Sequence, residues 1–236
     1  MVSDRFKKSK DGILGEEQDS KNTRSDELRT LTFQTPQSTK PPTFKSVFGD
    51  SWDTLPTVMK KHYSNRPYTS DVTIVNGKLD VMCRGPIKLF SGLFWLMQGI
   101  PPLSEKNVPV RVKFKSDPNS KFFHFNRVFN FGTRKPYHFK STMIQIEGNE
   151  VVEVMHSRLG WRMNVLWEDE RVKLKHKGYV VALFGHFIPL PITMLLGRGD
   201  AEEFPVDDNT FDMEVAITHP WWGKIYGYKG RFEVEE

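Results

Sequence analysis

The chain has 236 residues, 38% of them hydrophobic, with a mean hydropathy of −0.50, which bounds it to one large domain or two small ones. A net charge of +5 without a clustered basic stripe argues against a nucleic-acid partner. The single cysteine, Cys83, excludes an internal disulfide and any Cys-based metal site.

Residues 1–46 hold few large apolar side chains and carry 9 Lys and Arg against 7 Asp and Glu. They read as a disordered tail and linker that ends in the stretch with Pro36, Pro41 and Pro42. Residues 47–236 remain for a single β-barrel-like domain, enough to bury a sizeable core. The start, Met1-Val2-Ser3-Asp4, has no apolar signal region, so a cytoplasmic setting is the expectation. Asp53-Thr54-Leu55-Pro56 signals a short helix with Leu55, Val58, Met59 and His62 on one face. Residues 68–75 and 78–83 read as two strands joined at Asn76-Gly77, the strongest short hairpin signal. Gly85-Pro86 then opens a second helix through residue 98, apolar over most of its circumference and closed by Gly99 and Pro101-Pro102. It either packs on a sheet or covers an apolar cavity. Lys88 interrupts this stretch, which is shorter than the ~20 residues of a membrane span, so no transmembrane segment is expected.

From Asn107 onward the chain alternates. Val108, Val110, Val112 and Phe114 are separated by Pro109, Arg111 and Lys113, and Phe211, Met213, Val215 and Ile217 repeat the pattern. Alternation gives each strand one buried and one wet face. Further strands are expected over 121–131, 137–146, 150–156, 161–167, 172–184, 202–206, 210–219 and 224–234, with a tight hairpin at 168–171. Lys173, Lys175 and Lys177 share a solvated face, whose other reading is a weak attraction for anionic lipid. Residues 187–191 contain Pro189 and Pro191, which cannot donate to a central ladder, and read as an apolar loop. The expected fold is mainly β. About ten antiparallel strands form a strongly curved sheet or calycin-like barrel, with a short N-terminal helix and one apolar helix inserted after the second strand.

Arg127 is the sharpest outlier, because Phe123, Phe125, Phe129 and Phe131 share its strand face. A buried charge must be paired, and Glu153, on a face with Val151 two strands later, is the natural partner. The pair either fixes strand register or lets Arg127 grip the carboxylate or phosphate head of an apolar ligand while Glu153 holds it. Phe125, Trp161 and Tyr228 complete the expected ligand-binding set. Acid–base chemistry by Glu153 with Tyr228 or His156 is a further reading. His156, His176 and His186 lack metal-ligand spacing, so neither a metal nor a cofactor is expected. Ser141 lacks the nucleophile-elbow motif and Cys83 any activating motif, which leaves no candidate nucleophile. Trp221-Trp222, between Pro220 and Gly223, sits at a hairpin end, either packed or presented to a membrane or a protein.

Several segments in order resemble a bacterial family of unknown function. They are Leu55-Pro56 with His62, Gly99-Ile100-Pro101-Pro102, Val108-Pro109-Val110-Arg111-Val112, Phe125-Asn126-Arg127-Val128-Phe129, Val151-Val152-Glu153, Phe184-Gly185 with Pro189-Leu190-Pro191, and Pro220-Trp221-Trp222-Gly223 with Tyr228-Lys229-Gly230. The resemblance covers about residues 48–234. This chain has Met155-His156 where the family has Phe-Gly. Members often sit at the C-terminal end of saccharopine-dehydrogenase-like or other dinucleotide-binding polypeptides. The resemblance therefore implies an oxidoreductase as a partner, although the sequence has no Gly-x-Gly-x-x-Gly fingerprint of its own. Two main functions follow: a domain that binds an apolar small molecule or lipid, and a non-catalytic accessory domain for a dinucleotide-dependent oxidoreductase. An isomerase or cyclase working in the same cavity is the third.

Overall fold

A computed structural model describes residues 40–89, 91–92, 99–132 and 134–235. The alternating segments form eleven strands: β1 (Val72–Cys83), β2 (Glu105–Ser116), β3 (Phe123–Phe129), β4 (Tyr137–Glu147), β5 (Glu150–Met155), β6 (Leu159–Glu168), β7 (Arg171–Leu183), β8 (His186–Leu190), β9 (Arg198–Pro205), β10 (Thr210–His219) and β11 (Gly223–Val234). All pairings are antiparallel, in the order β6-β5-β4-β3-β2-β1-β11-β10-β9-β7. Pairing of β6 with β7 along most of their length joins the two ends, so ten strands close into a barrel with no free edge between them. The eleventh, β8, pairs only with Tyr179–Leu183 of β7.

Inward residues follow the period of two. In β2, Val108, Val110, Val112 and Phe114 are buried while the residues between them are exposed. β7 needs a correction to that period. Met163 pairs with His176 but Arg162 with Gly178, so Lys177 is an extra, bulged residue. The bulge lets Leu174 and Tyr179, five positions apart, both face inward. The lysine row stays outside: Lys173 pairs with Glu168 and Asp169, Lys175 with Glu168, and Lys177 with Glu150.

Antiparallel neighbours send alternate connections to opposite ends. The end with the β2–β3, β4–β5, β6–β7 and β9–β10 turns is plugged by α1 (Lys45–Phe48), a 3-10 turn (Gly49–Thr54) and α2 (Thr57–His62). Leu55, Val58 and Met59 are buried there, and Phe44 packs on Tyr63 and Phe123. The other end carries α3 (Gly85–Leu89), the β3–β4 and β5–β6 turns, α4 (Thr193–Leu196) and the β10–β11 turn. No helix among the described residues is long and apolar enough to cross a membrane.

Three sequence expectations change. Asn76-Gly77 is not a turn but the middle of the 12-residue β1. Gly77 is required there because a Cβ would meet Arg231 O at 2.4 Å and the Phe232 ring at 2.6 Å. The glycine permits a close strand crossing rather than a reversal. The apolar helix therefore follows the first strand rather than the second. Its Gly85–Leu89 turn is described, whereas a lid made by residues 93–98 lies outside the described residues. The Pro189 segment is a strand, β8, tolerated because it is an edge that need not donate on both sides.

Candidate functional site

The interior is aromatic in its plugged half. Phe114, Phe123 and Phe125 pack edge-on or stacked, and Phe211 stacks on Phe232. Among these rings β3 projects Arg127. Its guanidinium lies between the Phe125 and Phe139 rings, 4.5 Å and 4.8 Å from their centroids, an arrangement that suits a planar cation. On β4, Ser141 stands opposite Phe125, and on β5, Glu153 stands opposite Met143, so both reach Arg127 diagonally across the sheet. Arg127 Nη1 is 2.8 Å from Glu153 Oε1 and donates to Ser141 Oγ at 2.9 Å. Ser141 Oγ in turn donates to Glu153 Oε1 at 2.5 Å. The result is a closed triangle of cation, hydroxyl and carboxylate, all buried. Nε and Nη2 of Arg127 make no hydrogen bond among the described residues, so three N–H donors remain.

Beside this triangle is an apolar cavity of about 110 Å³. That is several times the ~10–15 Å³ that a single water needs. Phe125, Arg127, Glu153, Trp161 and Tyr228 all lie on its wall, together with Tyr226. The Tyr226 hydroxyl is fully buried and has no hydrogen-bond partner among the described residues. Burial pushes its pKa far above the usual tyrosine value. Tyr228 is pushed up to about 12, chiefly by burial, with Arg127 pulling it down and Glu153 and Glu203 pushing it up. Both phenols are therefore neutral donors at physiological pH.

A second buried carboxylate, Glu203 on β9, faces the same cavity near the plug. Tyr63 donates to its Oε2 at 2.7 Å, and His62 Nε2 lies 3.6 Å from its Oε1. The sequence reading missed Glu203 because Phe204 and Val206 suggest the opposite parity for β9. Phe204 instead faces outward, where Arg171 covers its ring at 4.7 Å. The pairing of Glu203 with Val172 and Met213 was the signal that only the closed barrel supplies.

Three other expectations resolve as follows. His156 is exposed and borders an outer groove, so it cannot join Glu153 in acid–base chemistry inside the barrel. His176 accepts the Trp161 indole N–H at 3.0 Å, and burial lowers its pKa. Ser141, set aside as a nucleophile, is the link between Arg127 and Glu153. Among the described residues no cluster of His, Cys, Asp and Glu is arranged to hold a metal.

The sequence matches the family described as "Domain of unknown function (DUF4166)" over residues 55–232. The chain belongs to this family. The DUF4166 match runs from Leu55, just ahead of α2, to Phe232 near the end of β11, and so takes in every cavity residue named above except Phe44, while α1 and the 3-10 turn precede it. Comparison with curated proteins gives no match. Among solved structures, the dehydratase domain of the polyketide PpsC from Mycobacterium tuberculosis aligns at 6% identity with a TM-score of 0.18, covering 76% of this chain and 80% of that one. A likeness that low carries no argument about the DUF4166 barrel.

Proposed function

We propose that this DUF4166 barrel binds an apolar small molecule bearing a neutral oxygen group, a carbonyl or hydroxyl, which meets Arg127, Tyr226 and Tyr228. One observation carries the reading: a fully buried Tyr226 hydroxyl without a partner, on an apolar cavity that also holds the Arg127–Ser141–Glu153 triangle. Leaving a buried donor unsatisfied costs about 1–3 kcal/mol, which a ligand acceptor would recover. A carboxylate or phosphate head, the expectation from sequence, fits less well. Glu153 already neutralises Arg127, so a second anion would leave a net buried negative charge. Phe125 and Trp161 supply apolar wall to the body of the ligand.

The test is displacement of an apolar fluorescent probe, paired with solvent extraction and mass spectrometry of the purified protein. Long-chain ketones or alcohols should compete better than the matching hydrocarbons and better than fatty acids. An Arg127→Met variant that stays folded should lose that preference while keeping hydrocarbon binding. Failure of any probe to bind, with no copurifying compound, would sink the reading. It would favour the accessory role beside a dinucleotide-dependent oxidoreductase, for which pull-down with such enzymes is the direct check. Isomerase or cyclase chemistry by Glu153 and Tyr228 would require turnover of the extracted compound.

A further inference from the structure

The exposed apolar side chains are unevenly divided between the barrel ends. Trp221 and Trp222 on the β10–β11 turn are 69% and 57% exposed, and Phe184 on the β7–β8 turn is 96% exposed. Met194 and Leu195 on α4 and Leu89 on α3 are more than half exposed at the same end. At the plugged end the most exposed large apolar side chain among the described residues is Tyr68, at 51%. Single exposed apolar residues are ordinary, but a cluster marks a contact surface. The tryptophan tip is also held in place. Buried His219 accepts the Trp221 backbone N–H at 3.2 Å, and its ring lies 4.1 Å from that of Trp222.

Charge follows the same axis. Arg84, Lys88, Lys106, Arg134, Lys135 and Arg158 are exposed around the apolar end, and none makes an ion pair among the described residues. The acids toward this end are Glu105, Asp80, which accepts the Asn107 backbone N–H, Asp200, paired with Arg198, and Glu214, paired with Lys224. Lysines stand at the plugged end as well, Lys45, Lys60, Lys61, Lys115 and Lys121, but they are outnumbered: to Asp50, Asp53 and Asp117 its turns add Glu147, Glu168, Asp169, Glu170, Asp207 and Asp208. The apolar pole is therefore the positive pole. A second apolar cavity of about 60 Å³ sits under this rim, between Ile87 of α3 and Leu196 of α4. It shares Ile100, Met155, Tyr179 and Ile217 with the wall of the main cavity.

We infer that the α3 end of the barrel docks on an anionic lipid bilayer, with Trp221 and Trp222 seated at its interface. Tryptophan favours the headgroup region, and each cation near an anionic leaflet adds attraction. A bilayer is favoured over a protein partner because the apolar rim, the cations and an apolar cavity one layer of side chains from the main one lie at one end. That combination suits a surface that both attracts cations and holds apolar ligands, as an anionic bilayer does. The docking stands on the rim and the charge; only the bilayer as source of ligand rests on the binding function proposed above.

The test is cosedimentation of the full chain with vesicles of phosphatidylcholine alone and of phosphatidylcholine mixed with phosphatidylglycerol. Binding should appear with the anionic vesicles, weaken with added salt, and shift tryptophan emission to the blue. Trp221→Ser with Trp222→Ser should abolish it. Lys88→Ala and Arg158→Ala should each weaken it about fivefold. Tyr68→Ser at the plugged end should leave it unchanged. Absence of cosedimentation, equal binding to neutral vesicles, or indifference to the tip and cation substitutions would overturn the inference. Probe binding in the barrel without vesicle binding would leave the ligand function standing and remove the docking. Vesicle binding without probe binding would do the reverse.

Discussion

At the scale of single residues the interior is governed by a few polar groups placed where water cannot reach them. Arg127 and Glu153 neutralise each other, and Ser141 spends its one proton on Glu153 while accepting from Arg127. Removing Glu153 alone leaves an uncompensated buried cation, so Glu153→Gln should cost about 3–5 kcal/mol in urea unfolding. Arg127→Met with Glu153→Leu should cost less than Glu153→Gln alone, because an apolar replacement of both partners leaves no buried charge unsatisfied. A double variant less stable than either single change would refute this account. Five tyrosines carry a second consequence. Tyr137 and Tyr228 are pushed up to about 12, mainly by burial, and Tyr63, Tyr179 and Tyr226 are also raised. Above pH ~10 the unfolded chain releases phenolic protons that the folded chain retains, so unfolding becomes more favourable as pH rises. The stability from Tyr137 and Tyr228 is complete below pH ~10 and lost as pH passes about 12. Tyrosinate absorbance should therefore rise together with loss of near-ultraviolet circular dichroism. A gradual rise in a protein that stays folded would count against it.

At the scale of elements, glycine and proline carried the signals that were hardest to read. Asn76-Gly77 has the composition of a two-residue hairpin loop, yet the flanking strands pair straight through it with β2 and β11. Gly77 and Gly230 are the two points where β1 and β11 come too close for a side chain: a Cβ on Gly230 would stand 2.0 Å from Lys78 O. Backbone cannot move aside as a flexible side chain can. Gly77→Ala and Gly230→Ala should each lower stability by about 1–3 kcal/mol through strain in this ladder, read as a fall in urea midpoint. By contrast Gly148→Ala, which meets nothing within 4 Å, should lose less, through its φ of +50° alone. Strand existence was legible because alternation is a property of one segment. Val110, Val112 and Phe114 announce their face without reference to any neighbour. The hairpin at Glu168–Arg171 was legible for the same local reason, with Asp169 and Glu170 both at positive φ. The role of Gly77, the edge position of β8 and the parity of Glu203 were not, because each depends on which strand lies alongside. Of the site, Arg127 and Glu153 stood out as charges on apolar faces, while Ser141 and Tyr226 looked ordinary until the strands were paired.

At the scale of the whole molecule the question is why a closed barrel leaves space inside. Ten strands enclose more volume than the side chains fill. The remaining cavity of about 110 Å³ is lined almost entirely by apolar groups, so its lining forgoes contacts that a denser interior would make. An empty cavity destabilises by about 24 cal/mol per Å³, so a chain selected for stability alone would gain by closing it. Ala201 offers the means. It is a small, buried residue on the cavity wall, in β9 opposite Val215 of β10 and Leu174 of β7. Replacing it with leucine extends an apolar side chain into the space without disturbing the ladder. If the cavity is empty in the free protein, Ala201→Leu should raise stability by about 0.5–2 kcal/mol, the usual gain from filling a void. The same change should abolish binding of an apolar probe. It should also make unfolding less sensitive to pressure, since the volume released on unfolding scales with internal void. The three readouts separate the possibilities. Higher stability with lost binding identifies the void as the ligand site. Lower stability with lost binding would mean that the walls cannot accommodate leucine. Higher stability with probe binding intact would place the ligand elsewhere on the molecule and refute the proposed site.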